Sequence, residues 1–110
     1  MSLSKMTFFE RFEKDILSSK KTITIRDASE KDYAINSIVQ VSTFESSRWF
    51  CTLKIKTVIP ILFKDLSDFH AKQENMTLEE LREIIQEIYP CVTRLYVISY
   101  ELVDVLEPRD

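Results

Sequence analysis

The 110-residue chain contains no glycine. At the usual frequency of about 7% a chain of this length carries roughly 8, so the absence narrows both fold and chemistry. Phosphate-cradling loops of the GxGxxG and GxxxxGK[ST] kinds need backbone without a Cβ close to the ligand, which excludes dinucleotide-binding and P-loop enzymes. Every turn that calls for a positive φ must use another residue. Asn36 in YAINSIVQV is the first choice, because asparagine tolerates that region better than other residues with a side chain.

At 45% hydrophobic the chain fits one compact domain over residues 1–110, large enough to bury a core. The net charge of −3 is unevenly spread: residues 1–56 hold 10 Lys/Arg against 7 Asp/Glu, and residues 57–110 hold 5 against 11. A surface basic throughout is thereby excluded, while a local basic patch in the first half is not. Charges interrupt the apolar residues of MSLSKMTFFERFEKDIL, which reads as neither signal peptide nor spanning helix and places the protein in the cytoplasm, away from membranes. Cys51 and Cys91 stand alone, with no CxxC spacing, as suits reduced thiols.

Phe8, Phe9, Phe12, Ile16 and Leu17 fall at helical spacing, with Thr7 as N-cap. The segments KTITIRD, SIVQVSTFE and RWFCTLKIKTVIPIL read as strands of an antiparallel set, and Pro60 puts the end of the third at an edge or a bend. LSDFHAKQENM reads as a short helix or ordered loop. TLEELREIIQEIYP is the clearest helix, with Thr77 and Glu80 as a capping box and Leu78, Leu81, Ile84, Ile85 and Ile88 on its apolar face. RLYVISYELV is a last strand. The order α-β-β-β-α-β predicts an α+β domain with a curved sheet or small barrel.

Few residues offer chemistry. His70 is the single histidine, which rules out a multi-histidine metal site and reads as structural. Glu79, Glu80, Glu83 and Glu87 form a solvated helix face, and Trp49, Phe50, Tyr96 and Tyr100 read as core or cross-strand residues. KKTITIRD is different. Ile23 and Ile25 alternate with Thr22, Thr24 and Arg26, so one face of the strand is apolar, and the other carries hydroxyls closed off by a guanidinium.

TFFERFEKDIL, KKTITIRD, FCTL and HAKQENMTLEELREII, in this order and spacing, resemble the small bacterial ASCH-domain proteins of the N(4)-acetylcytidine amidohydrolase family over nearly the whole chain. The resemblance implies a PUA-like fold, a small curved β-barrel with flanking helices. It also implies removal of an N-acetyl group from N(4)-acetylcytidine by a threonine nucleophile, a lysine base and a glutamate proton donor. By motif match these fall on Thr24, Lys21 and Glu74, and Arg26 matches the arginine that closes the ASCH signature, implying a substrate-binding role. No metal and no organic cofactor is implied. In one place the chain departs from the pattern: Ser19 stands where the signature has glycine, so the turn into the strand is made without it.

These residue types suit the reaction. A threonine hydroxyl is inert at neutral pH until a neighbouring amine accepts its proton, and a lysine serves only if burial and nearby cations lower its pKa from about 10.4. The site therefore requires Lys21 Nζ within hydrogen-bond reach of Thr24 and near Glu74. A regular strand sends Lys21 and Thr24 to opposite faces, so pairing should begin after Lys21, with Ser19 and Lys20 in a turn. Ile23 and Ile25 should then pack on the first helix or the barrel interior. The alternative is a non-catalytic PUA-like module for RNA or modified nucleosides, using Lys20, Lys21, Arg26, Arg48, Lys54 and Lys56 as a basic face, which the acidic second half renders weak.

Overall fold

The computed structural model describes residues 3–105; residues 1, 2 and 106–110, the two ends of the expected 1–110 domain, lie outside the described residues. In chain order the elements are β1 (Lys5–Phe8), α1 (Glu13–Leu17), β2 (Ile23–Arg26), β3 (Ile38–Thr43), β4 (Trp49–Leu62), α2 (Asp68–Gln73), α3 (Leu78–Ile88) and β5 (Arg94–Val105), with 3-10 turns at Glu10–Phe12, Ala28–Glu30 and Phe63–Asp65. The strands form one sheet in the order β1-β3-β4-β5-β2. Neighbours are antiparallel except β1 and β3.

The α+β reading holds, and the order gains a strand in front. Thr7 is not a helix N-cap; it lies in β1, opposite Ser42 of β3. Met6 and Phe8 alternate as buried residues there, and helix begins only at Glu13. Parallel pairing to a strand distant in sequence leaves no local signal, whereas the run of phenylalanines mimics a helical stripe.

The long strands β4 and β5 shift register at Thr52/Leu53 and Ile55/Thr57, and these irregularities curl the sheet. Its two edges are bridged by a side chain: Arg26 Nη2 of β2 donates to the Thr7 carbonyl of β1 at 2.8 Å. Pro60 lies where β4 is paired only with β5 and its other side carries no strand among the described residues, as expected of an edge.

Two apolar clusters hold the sheet. One fills the curl, with Met6, Phe8, Ile16, Val41, Phe50 and Ile98 among its members. The other lies beneath the two helices between β4 and β5, where Ile23 and Ile25 meet Ala71, Leu81, Ile85 and Leu95. Ile23 and Ile25 thus pack under α2 and α3, not on the first helix or inside the curl as the alternation alone suggested. Side chains of β2 that share one face must all go to the same layer, and the apolar stripe of α3 covers that layer. α3 has the expected box, Thr77 Oγ1 accepting from Glu80 N–H and Glu80 Oε1 from Thr77 N–H, both at 3.1 Å. His70 is structural, its Nδ1 accepting the Ser67 N–H at 3.2 Å at the start of α2. Phe50 and Tyr100 are core, and Trp49 Nε1 donates across strands to Gln40 at 2.8 Å. Among the described residues no helix is long and apolar enough to cross a membrane.

Without glycine, five other residues among those described take left-handed backbone: Ser19, Asn36, Ser47, Asn75 and Cys91, with φ between 56° and 69°. Asn36 was expected. Ser19 ends α1 in a Schellman turn, its N–H donating to the Ile16 carbonyl at 3.1 Å and the Lys20 N–H to the Asp15 carbonyl at 2.9 Å. Asn75 ends α2 in the same way, through Asn75 N–H to Lys72 at 3.0 Å and Met76 N–H to Ala71 at 3.0 Å. A left-handed serine costs about 1 kcal/mol or more, part of which glycine returns through its more mobile unfolded chain. Ser19→Gly is therefore expected to stabilise the fold by roughly 0.5–1 kcal/mol, raising the denaturant midpoint at unchanged m-value. An unchanged or lowered midpoint contradicts a strained Ser19.

Candidate active site

The two Schellman turns deliver the two charged residues of the site. Lys21 follows the turn at the end of α1, with its N–H bonded to the Asp15 carbonyl at 3.0 Å, and strand pairing begins two residues later at Ile23. Glu74 is the C-cap of α2, immediately before left-handed Asn75. The two side chains, 3% and 5% exposed as residues, form an ion pair between Lys21 Nζ and Glu74 Oε1. Lys21 Nζ also donates to the Ile23 carbonyl at 2.7 Å. Its nitrogen lies 5.5 and 5.4 Å from the ring centres of Phe8 and Phe12.

Burial holds the Lys21 amine well below the ordinary lysine value, and the Arg26 guanidinium adds to this, with Asp15 acting the other way. Taking an ammonium out of water is the dominant cost, and a second cation nearby makes it larger. Glu74 favours the charged amine by its own charge, and against it stands the form of the pair with the one proton on the carboxyl and the amine free. The low-dielectric surroundings favour that uncharged form.

Thr24 and Arg26 extend from β2 on the face opposite Ile23 and Ile25, and both are buried. Arg26 Nε donates to Thr24 Oγ1 at 2.8 Å, Nη1 to Glu30 Oε1 at 3.0 Å and Nη2 to the Thr7 carbonyl at 2.8 Å. Three of five guanidinium N–H groups are thus used, leaving two without a partner among the described residues. Thr24 and Arg26, on the polar face of KKTITIRD, are buried and are not part of a solvated surface.

Lys21, Thr24, Arg26 and Glu74 line one cavity of about 210 Å³. Ile25, Met76, Leu81, Ile84 and Ile85 form an apolar wall, and Phe8, Phe9, Phe12 and Phe44 an aromatic one. Phe44 is exposed and meets Phe9 edge-on at 5.4 Å, and Arg11 lies over Phe9 and Phe12 at 5.3 and 4.9 Å. The arrangement is an apolar slot ending in an amine, a hydroxyl, a carboxyl and a guanidinium, which suits a flat uncharged molecule bearing a polar group at its inner end.

All four residues singled out from the sequence therefore meet. The direct Lys21–Thr24 hydrogen bond is not among those made, since Arg26 holds the Thr24 oxygen and Lys21 turns to Glu74 and Ile23. Among the lining residues that sequence reasoning missed are Glu30 and Tyr89; the Arg26-to-Glu30 spacing is the one local signal for the first, and for Tyr89 there is none. The basic set is dispersed. Lys21 and Arg26 are buried, Arg48 pairs with Glu13, and Lys56 lies 4.0 Å from Glu101.

No family model matches the chain. It is 66% identical over 98 residues to an N(4)-acetylcytidine amidohydrolase of Vibrio atlanticus (strain LGP32), covering 89% of this chain and 94% of that protein. Identity to an N(4)-acetylcytidine amidohydrolase of Vibrio vulnificus (strain CMCP6) is 64% over 100 residues, 91% of this chain and 96% of the other. Among solved structures, the ASCH domain from Lactobacillus crispatus JV V101 matches with a TM-score of 0.76 at 15% identity, covering 94% of this chain and 80% of that one. That likeness identifies the fold as an ASCH domain.

Proposed function

The chain belongs to the N(4)-acetylcytidine amidohydrolase family, and on that premise we propose that it hydrolyses the acetyl amide of N(4)-acetylcytidine to cytidine and acetate, with Thr24 as nucleophile, Lys21 as base and Glu74 as proton donor. The observation that carries the reading is a buried amine–carboxyl pair in the same cavity as a buried threonine hydroxyl.

The substrate enters between the aromatic and aliphatic walls, its acetylamino group leading. Thr24 Oγ attacks the acetyl carbon as its proton passes to the Lys21 amine, and the C–N bond breaks as the Glu74 carboxyl protonates the departing cytosine nitrogen. Water then attacks the threonine ester, giving a proton to the Glu74 carboxylate, while the Lys21 ammonium returns its proton to Thr24. Acetic acid leaves and ionises in solution. Thr24 and Lys21 close on each other with substrate bound, as catalytic hydrogen bonds commonly do. The two unused N–H groups of Arg26 are the donors available to the substrate. Incubation with N(4)-acetylcytidine followed by chromatography is expected to yield cytidine and acetate in equal amounts; no cytidine after prolonged incubation contradicts the reading.

RNA binding is expected to be weak. Lys21 and Arg26 are buried and Arg48 and Lys56 lie beside carboxylates, so this set neutralises few phosphates, and association with single-stranded RNA should vanish as salt approaches about 0.15 M. Salt-resistant retention on RNA, measured by fluorescence anisotropy, favours the binding-module reading instead.

A further inference from the structure

Arg26 can hold the Thr24 oxygen only if its own plane is fixed. The guanidinium is planar, so its direction is set by whatever grips the two Nη groups. On one side that is the Thr7 carbonyl at 2.8 Å, a backbone group that cannot turn away. On the other it is Glu30 Oε1 at 3.0 Å, at the end of a short 3-10 turn just after β2. A carboxylate in that position, partly open to solvent, would be free to rotate. Its second oxygen is taken by the hydroxyl of Tyr89, at the C-terminal end of α3. Tyr89 and Glu30 both line the cavity, and the Phe8 ring lies 4.9 Å beneath the guanidinium.

We infer that Glu30 is a positioning residue: anchored by Tyr89, it orients Arg26 so that Nε–H points into the Thr24 oxygen. That donor does two things on the reading of Thr24 as nucleophile, on which this inference rests. It occupies one lone pair, which turns the threonine O–H away from Arg26. It also faces the oxygen as negative charge develops there during attack, and between buried groups such a fixed donor is worth more than a mobile one. The chain Tyr89–Glu30–Arg26–Thr24 thereby ties α3 to the nucleophile.

The test compares full-length wild type, Glu30→Ala, Glu30→Gln and Tyr89→Phe in steady-state deacetylation, with thermal melts to confirm folding. Wild-type turnover is the check on the proposed reaction; the variants test Glu30. Loss of alignment by about an ångström costs up to roughly 10²-fold, so Glu30→Ala is expected to lower kcat by roughly that factor with KM nearly unchanged. Glu30→Gln keeps an acceptor for Nη1 and should recover most of the loss, and Tyr89→Phe should lie between them. Independently of any reaction, the Arg26 Nε–H should give a slowly exchanging NMR resonance that disappears by exchange in Tyr89→Phe and in Glu30→Ala. A Glu30→Ala enzyme with wild-type kcat, a loss confined to KM, or an Arg26 Nε–H equally protected in Tyr89→Phe overturns the inference. If Glu30→Ala does not fold, the Glu30→Gln and Tyr89→Phe pair decides by the same readouts.

Discussion

Thr24→Ala is expected to lower kcat for N(4)-acetylcytidine by roughly 10³-fold or more while leaving a folded protein, and Lys21→Ala and Glu74→Ala are expected to do the same. Removal of the threonine oxygen takes away the group that forms the ester. Loss of Lys21 takes away the acceptor of its proton, and loss of Glu74 leaves the cytosine amine to depart as an anion. Because the three act in one step, the Lys21→Ala/Thr24→Ala double variant should be scarcely slower than either single one. Thr24→Ser keeps a hydroxyl in reach of Arg26 and should retain measurable turnover. Steady-state rates for the five variants decide the matter, and near wild-type turnover by Thr24→Ala removes the assignment of the nucleophile.

In Glu74→Gln the stability of the fold should become steeply dependent on pH. Burial and Arg26 hold the Lys21 amine below its ordinary value. Between that lowered value and about 10.4, the unfolded chain binds a proton that the folded one does not. The slope of unfolding free energy against pH is then positive, about 1.4 kcal/mol per pH unit. Stability is lowest on the acid side of this window, rises through it, and levels off above the ordinary lysine value. The proposed mechanism requires the Glu74 carboxyl to hold the proton that Lys21 lacks; the folded and unfolded wild-type chains then bind equal numbers and the slope from this pair is near zero. The double variant Lys21→Met/Glu74→Gln should be as flat as the wild type. Urea unfolding at several pH values measures all three, and a flat profile for Glu74→Gln means that Lys21 stays charged in the fold.

What the sequence revealed of this molecule follows the range of the interactions involved. α3 was legible residue by residue, since a capping box and an apolar stripe are local devices, and Leu81 and Ile85 are buried as the spacing required. β1 was not, because its partner strand is remote and Phe8, Phe9 and Phe12 also satisfy a helical stripe. At the site, the alternation in KKTITIRD separated the apolar from the polar face correctly, but which layer each face meets depends on where α2 and α3 fold back. Lys21, Thr24 and Glu74 were placed together by resemblance to a family; their spacing alone would leave Lys21 a surface lysine. The Schellman turns at Ser19 and Asn75 explain how they meet: each reverses a short helix end and sets a charged side chain inward. The turn at Ser19 was expected from the strand geometry, but serine gives no hint of the left-handed backbone that glycine would advertise. Tyr89 was invisible for the same reason as β1, its contact with Glu30 being made only by the finished fold.

The measurement that bears most directly on the mechanism is the mass of the protein during turnover. Wild type and Glu74→Gln are mixed with N(4)-acetylcytidine, quenched in acid at short times, digested, and read by mass spectrometry for the peptide containing Thr24. The mechanism requires one acetyl group on Thr24. It should accumulate further in Glu74→Gln with any substrate it turns over, because the water that cleaves the ester then has no carboxylate to take its proton. A Thr24 peptide that stays unmodified at every time while cytidine is released, together with full activity of Thr24→Ala, would mean that water attacks the amide directly and that Thr24 is not the nucleophile.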